Sequence, residues 1–326
     1  MRVRSRPMQP ADIPECVEVI AAHPIIGARY GPTIGDLSEA WLRLADSDAR
    51  IARVFYADEE QTPPIRFVGV SVFVSDEFVG ELKTVPGFWF GPELARRVVR
   101  GQSPVLSDRQ LRDANSSDGV NLLVWEGCMR LGVAPADTRE IMNSFIDDHR
   151  GYRVKEIISS QIESSERLLW TLQTGSSLWN CQAGRYVDIL HEDPNDVIAT
   201  PHIVGVTREI ERERYVPGSW LGELFAYDAP QFGFSRSEQH MVRAALVADT
   251  CTDKELAKLI GVSLPTIKKT WLSVYRRVAT RRPDIIPDGP HRESERGKEK
   301  RRRLFAYIRA HPEELRPISP KLLKRT

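Results

Sequence analysis

The sequence predicts two parts of different class: a mixed α/β body over residues 1–229 and an all-α end over residues 230–326. Three observations predict this division. The first is charge. The chain of 326 residues holds 46 Lys+Arg and 45 Asp+Glu, a net of +1. Up to Ala229, however, 24 basic face 34 acidic residues, a net of −10, and beyond it 22 face 11, a net of +11. The second is a pair of runs rich in β-branched and aromatic residues, Arg66–Val74 and Gly119–Trp125, set among segments with helical apolar spacing. The third is a pair of S/T-x-x-E signatures, Ser235–Glu238 and Thr252–Glu255, each followed by a helical apolar stripe.

In the body, Ile13, Val17, Ile20 and Ala21 form one stripe over 10–22, with Asp12 as its expected N-cap and Pro14 in the first turn. Ser38–Ala45 reads as a second helix and Pro92–Arg100 as a third. Arg66–Val74 and Gly119–Trp125 read as buried strands. Asp137–Asp148 is the next helix, followed by a turn at His149–Tyr152 and a strand at Val154–Ile158. His149, Arg150 and Tyr152 make a polar cluster there, read as a structural cap. Short strands are expected at Ser177–Cys181, Tyr186–Leu190 and His202–Thr207, with a sub-lobe beginning near residue 151. Arg208–Arg214 is a charged stretch, and Tyr215–Ser219 is expected to break any helix there. Pro217–Phe232 is taken as the connection to the basic end.

Several classes are excluded by composition. At 41% hydrophobic and 28% charged residues the chain can build cores and is neither fibrous nor wholly disordered. Its longest strongly apolar stretch, Phe67–Val74, is far shorter than the ~20 residues of a membrane-spanning helix. The charged N-terminal segment lacks the apolar core of a secretory signal. Cys16, Cys128, Cys181 and Cys251 are scattered without metal-ligand spacing, as expected of reduced thiols in a cytoplasmic protein. No metal and no cofactor is expected, and a membrane is not a partner. Six of the seven tryptophans precede Ala229, so they serve either as core or as the wall of an apolar ligand cavity.

The basic end divides into 230–290 and a tail, 291–326. Ser235 caps a helix with Met241, Val242, Ala245 and Leu246 inward. Thr252 caps a second, Glu255–Ile260, which Gly261 stops in a left-handed turn. Ser263 then caps a third helix, Leu264 to about Ala279, with Pro265 in its first turn. Small Ala257 permits close crossing, and Leu256, Ile260, Val262 and Ile267 are expected between the helices. Ile267, Trp271, Val274 and Val278 continue inward. Lys268, Lys269, Leu272 and Arg276 lie on the opposite face, with Leu264 and Pro265 at its start. This is a wingless helix-turn-helix whose last helix suits a major groove.

These residues resemble a known family. Glu238, Lys254-Glu255-Leu256-Ala257, Gly261-Val262-Ser263, Thr266-Ile267-Lys268 and Tyr275, over about 45 residues, are similar to the C-terminal DNA-binding domain of LuxR-type transcription regulators. The loop before Thr252 is about two residues longer than the family pattern, and Trp271 is larger than its usual counterpart. The resemblance implies double-stranded DNA as partner, contacted by Leu264, Pro265, Lys268, Lys269 and Arg276, with Thr266 at a phosphate. It also implies a homodimer on paired half-sites, a sensory or oligomerising role for residues 1–229, and an unidentified small-molecule effector. The tail predicts an amphipathic helix over Glu295–Ala310, broken at His311-Pro312. It either packs on the DNA-binding core or adds phosphate contacts from Lys300, Arg301, Arg302 and Arg303.

A second resemblance concerns the body. Arg6–Pro14 is similar to the first strand and helix of the acetyltransferase-like (GNAT) fold, and Phe67–Val74 to its central strand. The family's glycine-containing pyrophosphate loop is missing, and Arg97–Ser103 does not replace it. The leading expectation is therefore a DNA-binding regulator without catalytic residues. The alternative is an acetyltransferase-like enzyme, or acyl-CoA-binding protein, whose C-terminus docks on nucleic acid.

Overall fold

A computed structural model of the chain describes residues 3–57, 64–84, 89–130, 138–161, 172–173, 175–179, 202–214, 216, 219–248, 251–286 and 293–317. It divides into two compact units. Unit 1 comprises Met1–His149 and Arg153–Phe225, and unit 2 comprises Arg150–Tyr152 and Ala226–Thr326.

Unit 1 is a mixed α/β domain built on one seven-stranded sheet. The strands are β1 (Val3–Pro7), β2 (Arg50–Ala57), β3 (Ile65–Val74), β4 (Val120–Met129), β5 (Val154–Gln161), β6 (Ser177–Trp179) and β7 (His202–Thr207). Their order is β1-β2-β3-β4-β5-β7-β6. Every pairing is antiparallel except β4–β5, which is parallel and so requires a crossover; helix α7 (Thr138–His149) lies in it. The β4–β5 ladder runs from Val120–Val154 to Val124–Ser159, while the strands themselves continue to Met129 and Gln161.

Strand alternation sends two residue sets to opposite faces. On one face, Val54, Val68, Val70, Val72, Leu123 and Ile158 join a core completed by α1 (Ile13–Ala21), α2 (Pro24–Tyr30), α3 (Ile34–Arg43), α4 (Asp76–Thr84) and α5 (Phe90–Val99). Trp41 and Trp125 meet edge to face there, 6.2 Å apart. A bulge at Val70/Ser71 lets both Trp125 and Glu126 be buried. The opposite face carries Ile51, Arg53, Phe55, Phe67, Gly69 and Ser71.

Several elements depart from the sequence expectation. Asp12 stands at the N-cap of α1 without capping it, because its carboxylate accepts from the Gln9 amide at 2.7 Å and from the Arg6 guanidinium at 2.5 and 2.8 Å. Strand β2 and helices α2, α4 and α6 (Asp108–Ser116) were not anticipated. Arg208–Glu213 is helical (α8), opened by the Thr207 hydroxyl on the Ile210 amide at 3.2 Å. The expected connection contains a short helix, α9 (Leu221–Phe225), held by burial of Leu221, Leu224 and Phe225. The strand expected at Tyr186–Leu190 lies outside the described residues, as do Asn180 and Cys181 of the preceding one. Cys16 and Cys128 are buried and Cys251 is half-buried, and none of the three is in a disulfide.

The described elements of unit 2 are helical: α10 (Arg236–Val247), α11 (Asp253–Ile260), α12 (Leu264–Arg281), α13 (Glu293–Ala310) and a 3-10 turn over Pro312–Leu315. Both capping boxes form, Ser235 with Glu238 and Thr252 with Glu255. Gly261 ends α11 at φ 75° and ψ 35°, where a Cβ would be strained. Leu256, Ile267, Trp271, Val274, Val278 and, from α13, Leu304 share one apolar cluster. Val262, expected inside, is 39% exposed. Tyr152 is buried, with the Arg316 guanidinium 5.1 Å from its ring. No described helix of either unit is long and apolar enough to cross a membrane.

Candidate functional site

The sequence-predicted residues converge on one face of α12. Ser263 caps the helix, its hydroxyl accepting from the Thr266 amide at 3.3 Å. Pro265 occupies the first turn, where no amide is needed. Ile267, Trp271, Val274 and Val278 are buried, at a spacing that puts them on one stripe. The remaining surface presents Pro265, Thr266, Lys268, Lys269, Leu272 and Arg276 to solvent, with Leu264 half-buried at the start. Leu272 is 60% exposed, an apolar side chain set among cations.

One buried carboxylate fixes α12 against α10. Glu238 accepts from the Ser235 amide and the Ser273 hydroxyl, each at 2.7 Å, and from Arg277 Nε at 3.3 Å. Burial opposes its ionisation, but the Ser273 and Ser235 donors and the Arg277 charge together bring its pKa below the ordinary value. Arg277 pairs with this carboxylate while remaining 46% exposed, and Arg276 is exposed beside it.

The basic tail does not act as one patch. Arg301 turns inward: its guanidinium lies 4.5 Å from the Trp271 ring centroid and donates to Asp253 at 2.5 Å. Trp271 also stacks on Tyr275 at 5.4 Å and meets Phe305 at 6.2 Å, so its bulk is the surface on which α13 docks. Arg302 and Arg303 are exposed and share Glu299, whose carboxyl they hold down at about 2. Lys300 is half-buried. The expected phosphate contacts Lys300, Arg301, Arg302 and Arg303 therefore divide: Arg301 is a packing residue, and Arg302 and Arg303 face solvent.

Unit 1 contains a site that sequence reading did not locate. A cavity of about 420 Å³ opens on the sheet face opposite the main core. Its floor is made by β2, β3 and β4. Phe55 and Phe67, partners across β2–β3, meet edge to face at 5.4 Å. Gly69 and Gly127 pair across β3–β4, and the Phe67 ring comes within 3.2 and 3.6 Å of where their Cβ atoms would stand. Met142 and Phe145 of α7, together with Trp220, contribute to the cavity's other walls. The polar lining includes an ion pair: Arg53 Nε and Nη2 each donate to Asp148 at 2.6 Å, and Arg53 Nη1 donates to Ser5 at 3.1 Å. His149 also lines it and is buried, with Nδ1 donating to the Phe145 carbonyl at 2.7 Å. The cap read from the sequence at this turn therefore involves the helix end itself. The local traces of it in the sequence are slight: small residues at Gly69 and Ser71 in an otherwise bulky strand, and Trp220.

At the border of the cavity Glu126 is fully buried, and Tyr30 Oη donates to its Oε1 at 2.5 Å. Burial lifts the Glu126 carboxyl to about 7, with Arg29 and Tyr30 acting in the other direction. Gly91 leaves room for this pair, since a Cβ there would lie 2.7 Å from the carboxylate and 2.8 Å from the Tyr30 oxygen. In unit 2, Asp228, His311 and Glu313 bring their polar atoms within 4.8 Å of one another, and His311 Nδ1 is 2.9 Å from Glu313.

The chain matches no protein-family profile. No curated protein matches it. Among solved structures, one similar to part of it is the GphF GNAT-like decarboxylase in complex with isobutyryl-CoA. It shares 12% identity at a TM-score of 0.37, over 63% of this chain and 98% of that one. A likeness of that size carries no argument about activity. The class of unit 1, a mixed α/β domain, rests on its own seven-stranded sheet.

Proposed function

We propose that this protein is a sequence-specific DNA-binding transcription regulator of the LuxR type, with α12 of its helix-turn-helix in the major groove. The observation that carries the reading is the division of α12: four apolar positions are buried, while Lys268, Lys269, Leu272 and Arg276 stand out together. Capping, turn geometry and net charge support the same reading, each from a different level. Lysines on this face neutralise phosphates or donate to guanine edges, and exposed Leu272 suits a thymine methyl group. Unit 1 serves sensing or dimerisation, and a homodimer reads paired half-sites. The place of action is the cytoplasm, where chromosomal DNA lies.

The test is selection of bound sequences from a random duplex library by the full chain, followed by titration of Lys268→Ala/Lys269→Ala. The double variant is expected to bind at least tenfold more weakly with unchanged circular dichroism. Equal binding would remove α12 from the interface. The alternative reading, from the sequence resemblance of the body, is an acetyltransferase-like or acyl-CoA-binding protein. Calorimetry with acetyl-CoA decides it, and absence of heat at millimolar ligand rejects it.

A further inference from the structure

We infer that the cavity of unit 1 binds a compact, uncharged, largely apolar small molecule. This deepens the sensory role proposed for unit 1 and rests on that reading only for its consequence at DNA, not for the binding itself. The volume, about 420 Å³, falls within the roughly 300–1,000 Å³ usual for small-molecule sites.

The room comes from residue choice within the sheet. Core-facing positions of β3 are Val68, Val70 and Val72, whereas the cavity-facing positions are Phe67, Gly69 and Ser71. With glycine at both Gly69 and its cross-strand partner Gly127, the Phe67 ring extends across the two positions, and the described residues leave the space above it open. Ser159 on β5 is a further small residue on this face. Protein interiors are packed to crystal density and unfilled volume destabilises them, so a run of small residues under an apolar roof is the pattern of a binding site.

The chemical class follows from the lining. Phe55, Phe67, Val124, Ile157, Phe145 and Trp220 give aliphatic and aromatic contact. Arg53 is the one Lys or Arg among the described lining residues, and its three nitrogens are all engaged, two by Asp148 and one by Ser5. An anionic ligand would have to break that bidentate pair, and a cationic one would compete with it. A neutral molecule with a hydrocarbon or aromatic body, and at most a hydroxyl or carbonyl at the ion-pair edge, leaves it intact.

The experiment titrates the full chain with Nile red, a neutral apolar dye, and separately with anilinonaphthalene sulfonate, an anionic one. Saturable binding of one Nile red per chain is expected, with the sulfonate at least tenfold weaker. Val124→Phe and Ser159→Phe, which fill the cavity, should each weaken Nile red at least tenfold, whereas Leu42→Phe on the exposed side of α3 should not. Hydrogen exchange of the unsubstituted protein gives a readout independent of variant folding: Nile red should protect peptides from β3, β4 and α7. No saturable Nile red binding, protection elsewhere, unchanged affinity in folded filling variants, or tighter sulfonate binding would each overturn the inference. Retention of the selected DNA by the dye-free protein is scored separately, so failure of the cavity and failure of the DNA-binding reading are told apart.

Discussion

Glu126 makes folding of unit 1 sensitive to pH in a direction opposite to that of most carboxylates. Its carboxyl is held at about 7 in the folded chain against an ordinary 4.5, chiefly because burial disfavours the charged form. At about 1.4 kcal/mol per pH unit, the full gap corresponds to about 3–4 kcal/mol. The sign follows from proton counting. Between the two values the folded state holds a proton that the unfolded state has released, so stability falls as pH rises. The contribution is whole below pH ~4.5 and is lost as pH passes through about 7. Between pH 5 and pH 8 most of it is lost, about 2–3 kcal/mol. Glu126→Gln removes the titrating group and keeps an acceptor for Tyr30. Burial also raises the Glu156 carboxyl against the pull of Lys83, so the measured quantity is a double difference. Urea unfolding at pH 5 and pH 8, followed by hydrogen exchange of β4 peptides, reports unit 1 alone. The variant should be about 2–3 kcal/mol less sensitive to that pH change than the unsubstituted protein. Equal sensitivity in the two proteins would show that Glu126 is ionised in the folded state at neutral pH, and the reasoning from burial would fail.

Unit 2 supports three further expectations. Gly261→Ala places a Cβ at φ 75° and should cost about 1–2 kcal/mol in chemical denaturation, with α12 and DNA affinity affected together. Trp271→Ala removes the ring between Tyr275, Phe305 and Arg301 and should cost about 3–5 kcal/mol by the same assay. Under the DNA-binding proposal, Arg302→Gln/Arg303→Gln should leave the melting temperature nearly unchanged and lower the slope of log affinity against log salt. Arg301→Gln should show the reverse, a lower melting temperature and nearly the same slope.

What could be read from sequence was what is encoded locally. The capping boxes at Ser235 and Thr252 need only four consecutive residues each, and Gly261 needs only its own backbone. The runs that became β3 and β4 announced themselves by β-branched content. Strand β2 did not, because Arg50, Arg53 and small Ala52 interrupt its apolar pattern, and these residues find their partners far away. Arg53 meets Asp148 across 95 positions. Helices α4 and α6 are polar on most of their surface and reveal themselves through a few buried side chains, Phe78 and Leu82 in one and Leu111 in the other. The cavity was illegible for the same reason: its floor and walls come from strands and helices spread from Ile51 to Leu221.

The position of Arg301 changes how the basic tail must be understood. By count the tail beyond Pro290 has 12 basic against 5 acidic residues, and 230–290 has 10 against 6. Counting alone makes the tail the stronger attractor of a polyanion. The structure ties part of that charge to folding: Arg301 is held by Asp253 and Trp271, whereas Arg302 and Arg303, paired with Glu299 on the surface, stay exposed. Leu304, Phe305 and Ile308, on the same helix, are buried in the cluster that supports α12. Removing 291–326 would therefore uncover that core as well as remove charge, and a change in salt dependence could not be assigned to lost phosphate contacts. Side-chain substitutions on the exposed face of α13 separate the two effects. The tail thus enters the DNA-binding proposal first as part of what holds α12 in shape, and only through its solvent-facing cations as a source of attraction.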